Sequence, residues 1–262
     1  MEIFTAPVSV GPDAMIIWVF ALTVTLFAGM IKGLVGFALP MVMISCLGSV
    51  MAPELALAGV ILPTLVTNIW QALRQGLGAA WQSVRRFRLF LMSAAAMLVA
   101  AAQLVPLLPS SALYLLIGVP VTLYAAMTLL GRGLRLPPNP GPRLEVGIGL
   151  LTGAMGGLTA VWGPPTVAML TAQGTEKREQ MRVQGVIYGS GAILLAMAHF
   201  GSGILRAETV PFSLAMVPPA LLGMWMGFAI QDRIDQAVFR RVTLFVLLIA
   251  GVNLLRRGVM LV

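Results

Sequence analysis

Cysteine, histidine and acidic residues are scarce in this 262-residue chain, which holds one Cys, one His and nine Asp plus Glu. The single cysteine, Cys46, can neither close an internal disulfide nor build a cysteine metal site. With His199 as the one histidine and no carboxylate inside any apolar run, the parts of a membrane-embedded catalytic or metal centre are missing. Neither an enzyme nor a cofactor is expected. Charged residues make up 10% of the chain and apolar ones 59%, against about 25% and about 45 to 50% in soluble domains. So few polar groups cannot cover a packed core of this size, which excludes a water-soluble globule. The apolar residues fall in runs long enough for a bilayer, so the chain reads as an all-α integral membrane protein with lipid as its solvent. The formal net charge of +8 would point to nucleic acid in a soluble protein. Here the arginines lie in short loops between apolar runs, where they orient the chain, and no nucleic-acid partner is expected. Positive charge is missing ahead of the first run, where Glu2 and Asp13 stand, so that run reads as a retained helix and not as a secretory signal.

Ten apolar runs follow one another: Ala14–Ile31, Ala38–Met51, Leu55–Leu73, Phe87–Leu107, Ala112–Leu130, Val146–Met155, Pro165–Ala172, Val183–Phe200, Val210–Ile230 and Phe239–Leu255. A crossing takes roughly 20 residues, so Ala38–Met51, Val146–Met155 and Pro165–Ala172 are too short, and each touches a Gly/Pro-rich break. They read as half-helices of hairpins. Basic residues gather in four loops, around Arg74 to Arg88, Arg132 to Arg143, Lys177 to Arg182 and Arg233 to Arg241, while the turns near Pro53 and Pro109 have none. The positive-inside rule then places those four loops in the cytoplasm and both termini outside, with Arg256 and Arg257 against the trend.

The chain also resembles itself. GMIKGLVGFALP, Gly29 to Pro40, aligns with GAMGGLTAVWGP, Gly153 to Pro164, so that Gly29, Gly33, Leu34 and Pro40 recur 124 residues later. Gly59-Val60-Ile61 recurs as Gly185-Val186-Ile187, and Leu130, Arg132 and Gly133 as Leu255, Arg257 and Gly258. The Pro-rich stretch Leu134 to Glu145 joins the copies. This divides the chain into an N-terminal repeat 1–133, a cytoplasmic linker 134–145 and a C-terminal repeat 146–262. About five segments per half is an odd number, so the second copy enters from the opposite side: two inverted-topology repeats, with broken or hairpin helices at the first two segments of each. Such repeats with matched interruptions point to a transporter whose site lies near the membrane midplane. Glycines spaced by four also serve plain helix packing.

A break at membrane depth leaves backbone N–H and C=O groups to be satisfied by protein, water or a ligand. Pro40, and Pro164 or Pro165, suit the first turn of the half-helix that follows, and the N–H groups and positive dipole end there attract anions. Gly33, Gly36, Gly157 and Gly163 let the backbone bend beside a ligand. Lys32, the one charge between Asp13 and Glu54, lies in the first break, where it either snorkels to the interface or attracts an anion. The second copy has Gly156 at that position, so the site is asymmetric. Asn68, Gln71, Tyr188 and Ser190 can donate hydrogen bonds to oxyanions or bind helix to helix. Thr159, Trp162 and Thr166 surround the second break, and Trp162 lies away from the ends where belt tryptophans stand.

The pattern G-x-x-K-G-x-x-G-F-x-x-P from Gly29 to Pro40, with a second glycine-rich break ending in Gly163-Pro164-Pro165, resembles the sulfite exporter TauE/SafE family of membrane permeases. The resemblance covers nearly the whole chain. It implies movement of sulfite, sulfoacetate or another organosulfonate across the bacterial inner membrane, and it marks Gly29, Lys32, Gly33, Gly36, Phe37 and Pro40, with Gly153, Gly157, Gly163 and Pro164, as motif positions. The second copy departs from it with Gly156 for the lysine and Ala160-Val161 for the Gly-Phe pair. The expected function is efflux of a small sulfur-containing anion by alternating access. An anion channel or a non-transporting assembly subunit are the alternatives, and monomer and homodimer stay open.

Overall fold

In a computed structural model the described residues are 12–48, 50–104, 110–132, 136–137, 141–159, 163–201 and 207–260. Among them the regular structure is helical throughout: α1 (Pro12–Val35), α2 (Leu39–Leu47), α3 (Pro53–Leu73), α4 (Leu77–Arg86), α5 (Arg88–Leu104), α6 (Ser110–Leu129), α7 (Pro142–Thr159), α8 (Gly163–Ala172), α9 (Lys177–Gly201), α10 (Val210–Ala215), α11 (Val217–Arg233) and α12 (Gln236–Met260). Among the described residues four stretches are long and apolar enough to cross a membrane: Met15–Val35, Leu55–Leu73, Val210–Arg233 and Gln236–Met260. Large apolar side chains along them, such as Phe27, Trp225, Phe245 and Ile249, are exposed, as lipid-facing residues are.

The element boundaries correct three expectations. Helix α1 does not break at Lys32 or Gly33 but runs on to Val35, so the first interruption is confined to Gly36, Phe37 and Ala38. Helix α7 is not a half-helix: it holds 18 residues because it starts at Pro142, inside the stretch read as linker. Proline is suited to a first helical position, and Glu145 lies in the first turn, where a carboxylate meets the positive end of the helix dipole. The same carboxylate accepts the backbone N–H of Phe90 at 3.2 Å, in the first turn of α5. A charge that looks like linker solubility therefore serves two helix starts. The third correction is α4, a ten-residue helix in what the charges mark only as a basic loop.

The described residues fall into two compact units, one within residues 1–67 and 192–233 and the other within 68–191 and 234–262. Each takes elements from both halves of the sequence. In the first unit α1 packs along α11. Glycines make this possible: a Cβ on Gly29 would stand 2.4 Å from the Ala220 carbonyl oxygen and one on Gly33 2.2 Å from that of Met224, while Gly223 and Gly227 meet Leu26 and Met30 as closely from the other side. Residue numbers rise together along both helices, so the pair is parallel. Helix α2 lays Leu39, Met43 and Leu47, one face at four-residue spacing, into a core with Ala21, Ala28, Ala56, Val60, Phe212, Met216 and Ala220.

In the second unit α5 packs along α7, also in parallel, with Gly149 against Phe90 and Ser93 and Gly153 against Ala94. Helices α6 and α12 pair antiparallel, Gly118 meeting Leu255, Gly251 meeting Thr122 and Gly258 meeting Leu115. Gln236 ties the starts of α9 and α12 together: its Oε1 accepts the Lys177 backbone N–H at 2.8 Å and its Nε2 donates to the Thr175 carbonyl at 3.0 Å. The Lys177 ammonium donates to the Ile234 carbonyl as well.

Candidate functional site

In the first unit the break between α1 and α2 is built from backbone geometry. Gly36 has φ +89°, where a side chain would be strained, and its N–H donates to the Lys32 carbonyl at 2.7 Å, closing the last turn of α1. Phe37 is buried, and Ala38 takes φ +79° as the residue before α2. Pro40 falls in the first turn of α2, and Ala38 at the N-cap position makes no side-chain hydrogen bond to that turn. The positive end of a helix is an electrostatic environment that favours anions.

Lys32 occupies the last turn of α1, one residue before Gly33 and four before Gly36. It is 1% exposed, the largest of the fully buried side chains. Snorkelling carries an ammonium out to the water interface; this one is enclosed by protein instead. A buried ammonium is costly unless other groups offset it, and the negative end of the α1 dipole is one contribution.

The second unit gathers the other polar candidates. Tyr188, in α9, donates its hydroxyl to the Gly163 carbonyl at 3.1 Å and is hydrogen-bonded to the Thr166 side chain, so both ends of the first turn of α8 are tied to α9. Gly163, Pro164, Pro165 and Thr166 form that turn, and all but Gly163 are buried. Asn68 and Gln71 lie at the end of α3 and are buried; Gln71 Nε2 donates to the Met181 carbonyl at 2.8 Å. Helix α9 comes this close because it has glycine where α3 approaches: a Cβ on Gly185 would meet Ala72 N at 2.4 Å, and one on Gly189 lies 3.8 Å from Asn68 Cβ. Ser190 is not brought to this cluster. It is exposed, and its hydroxyl donates to the Val186 carbonyl of its own helix at 2.9 Å. Gly157 is in the last turn of α7. Trp162 and the side chain of Thr159 lie outside the described residues.

The buried polar residues Thr64, Thr67, Gln180 and Gln184 escaped the sequence reading. With the residues that were singled out, Thr64, Thr67, Asn68 and Gln71 fall at i, i+3, i+4 and i+7 along α3, and Gln180, Gln184 and Tyr188 at four-residue steps along α9. That spacing marks one face of a helix. A search for polar residues at helical period inside apolar runs would have found the α3 stripe, and Gln184 and Tyr188 on α9; Gln180 lies before the run that starts at Val183. Pro63, inside α3, has no N–H to give, which frees the Gly59 carbonyl one turn earlier.

These features define a multi-pass helical membrane protein with short, interrupted helices and buried polar side chains at the interruptions. The chain belongs to the sulfite exporter TauE/SafE family, whose model matches residues 21–254. The match takes in both similar stretches, Gly29 to Pro40 and Gly153 to Pro164, and the polar faces of α3 and α9. Membership implies a membrane exporter of sulfite or a related anion. No curated protein and no solved structure matches the chain.

Proposed function

We propose that this protein is a secondary transporter of the bacterial inner membrane that exports a small sulfur-containing anion, sulfite or an organosulfonate such as sulfoacetate, by alternating access. The observation that carries the reading is the complete burial of Lys32 beside the break between α1 and α2. An ionisable residue kept inside a membrane protein marks a substrate or ion path, and here the cation stands next to a helix N-terminus whose N-cap residue, Ala38, gives no side-chain cap, a place that also favours negative charge. In the second unit the α8 start, with Gly163, Pro164 and Thr166 held by Tyr188, is the corresponding element without a lysine.

The proposal includes the inverted repeat, with residues 1–133 and 146–262 as the copies and 134–145 joining them. Its support is an exchange of partners. Gly29 packs on Ala220 while Gly153 packs on Ala94; Gly153 lies 124 residues after Gly29, and Ala220 lies 126 after Ala94. Thr25 and Met216 touch, 3.3 Å apart, where Gly149 and Phe90 touch at the corresponding positions. Two similar halves that each lend a helix to the other account for these matched partners.

Export needs no elaborate coupling, because moving one negative charge out of a negative interior is downhill by about 2.3 kcal/mol per 100 mV. Sulfite flux from proteoliposomes held at an imposed potential tests the reading. Efflux should saturate, accelerate with an outside-positive potential, and fall at least tenfold in Lys32→Met. Flux that ignores the potential and follows a pH gradient would overturn the uncoupled mechanism, and flux that never saturates would identify a channel.

A further inference from the structure

Helix α4 has no place in the transport reading, yet its sequence is not that of a simple connection. Ala80 and Ser83 face the protein and are buried, as is Phe87 just after the helix. On the other side Leu77, Trp81 and Arg85 form a stripe at four-residue spacing, with Arg88 one further turn along. Leu77 is 75% exposed and Trp81 56%. The Arg85 guanidinium lies over the Trp81 ring, 5.4 Å from its centroid. Among the described residues neither Arg85 nor Arg88 makes an ion pair.

The buried side is pinned to α9. Arg182 Nε donates to Ser83 Oγ at 2.8 Å and its Nη1 to Gln75 Oε1 at 2.5 Å, Gln75 Nε2 donates to the Arg178 carbonyl, and Arg86 pairs with Glu179. These contacts engage Arg86 and Arg182 and hold α4 and the turn before it against α9, leaving Leu77, Trp81 and Arg85 exposed. The helix also follows α3, a membrane-length apolar helix, after only three residues. A short amphipathic helix at the end of a span stands at the boundary between hydrocarbon and water, where an aromatic ring and snorkelling arginines are the suited residues.

We infer that the outward face of α4, made by Leu77, Trp81 and Arg85, together with Arg88 at the start of α5, is a docking surface for anionic phospholipid headgroups of the leaflet in which α3 ends. Leu77 and Trp81 enter the acyl boundary, and the two guanidinium groups meet the phosphates, a match of charge that a zwitterionic lipid supplies only weakly. Each basic side chain near an anionic surface raises local lipid occupancy about fivefold before salt screening. The inference needs only that the protein is embedded in a membrane, and it stands or falls apart from the identity of the transported ion.

The test uses the full chain in nanodiscs of phosphatidylcholine containing a minor fraction of phosphatidylglycerol, with one of the two lipids brominated. The difference in fluorescence between wild type and Trp81→Phe isolates Trp81. Brominated phosphatidylglycerol should quench that emission at least twice as strongly as brominated phosphatidylcholine at the same mole fraction. The preference should shrink at high salt, vanish in Arg85→Gln/Arg88→Gln and survive in Arg85→Lys/Arg88→Lys. Should the glutamine variant fail to fold, the salt titration of wild type and the lysine variant carry the comparison. Equal quenching by the two lipids in wild type overturns the inference, as does a preference indifferent to salt or unchanged in the glutamine variant. No quenching by either lipid overturns it too, and leaves a protein partner as the occupant of the stripe.

Discussion

The hydrogen of Gly29 points at the Ala220 carbonyl oxygen, with 2.4 Å between that oxygen and the place a Cβ would occupy. Gly153 and Ala94 repeat the relationship at 2.2 Å. Both are backbone contacts, so neither neighbour can swing away. Gly29→Ala and Gly153→Ala are each expected to destabilise by at least the ~1–3 kcal/mol typical of overpacking. Gly147→Ala in α7, with open space around it, should instead be neutral or stabilise by up to about 1 kcal/mol from helix propensity. Thermal unfolding in detergent of the three variants checks the contrast. Equal Tm for Gly153→Ala and wild type would refute the close approach of α5 and α7.

Ala38 carries a left-handed backbone, φ +79°, at the entry to α2. For a residue with a Cβ this conformation costs roughly 1–2 kcal/mol, so Ala38→Gly is expected to raise stability by up to that amount, less the greater chain entropy of glycine. Ala38→Val should lower it. If the two substitutions act alike in thermal unfolding, the α1–α2 break has a different geometry.

Replacing Lys32 by Met removes a buried charge while keeping most of the volume. Stability should change little, since relief of the desolvated ammonium is set against the loss of the contacts Lys32 makes. Anion binding should weaken about tenfold or more, in line with the ~1.5–3 kcal/mol of a hydrogen bond to a charged group. Calorimetric titration with sulfite and sulfoacetate, beside a thermal melt, separates the two effects. Unchanged affinity in a well-folded Lys32→Met would remove Lys32 from the site.

Tyr188→Phe deletes the bond to the Gly163 carbonyl and the one to Thr166. A loss of about 1–3 kcal/mol is expected, because the part-buried Gly163 carbonyl and the buried Thr166 hydroxyl each lose a hydrogen-bond partner. Hydrogen exchange should show it locally, as faster exchange in the first turns of α8 than in α12. Uniform acceleration across the chain would mean that Tyr188 does not hold the α8 start in particular.

Much of the fold was legible in the residues. The long apolar runs became α1, α3, α9 and α12 with boundaries close to expectation, and the shortness of α2 and α8 followed from Pro40 and Pro164 beside glycine. The sites of error have physical causes. Glu145 and the glycines of α7 shorten its apolar run without interrupting its hydrogen bonds, because the carboxylate is welcome at a helix start and Gly149 and Gly153 are where α5 packs closely. Helix α4 was invisible because its arginines register as loop charge, and only their one-sided exposure reveals an amphipathic helix. For the candidate site, Lys32, Pro40, Thr166 and Tyr188 were found as polar or conformational exceptions in apolar surroundings. Thr64, Gln180 and Gln184 were passed over, since a single uncharged polar residue hardly disturbs the hydrophobic pattern.

Composition and order of residues decided that this chain must live in a bilayer, where its helices are interrupted, and which family it joins, because hydrocarbon tolerates few charges and no unpaired backbone, and proline and glycine act locally. Which helices pair was decided only in three dimensions. The partners of α1 and α7 are α11 and α5, far away along the chain, and they are chosen by whether a glycine hydrogen on one helix fits against a carbonyl on the other. The burial of Lys32 belongs to the same level: its charge is written in the sequence, but whether water or protein surrounds it depends on what the folded chain packs around α1.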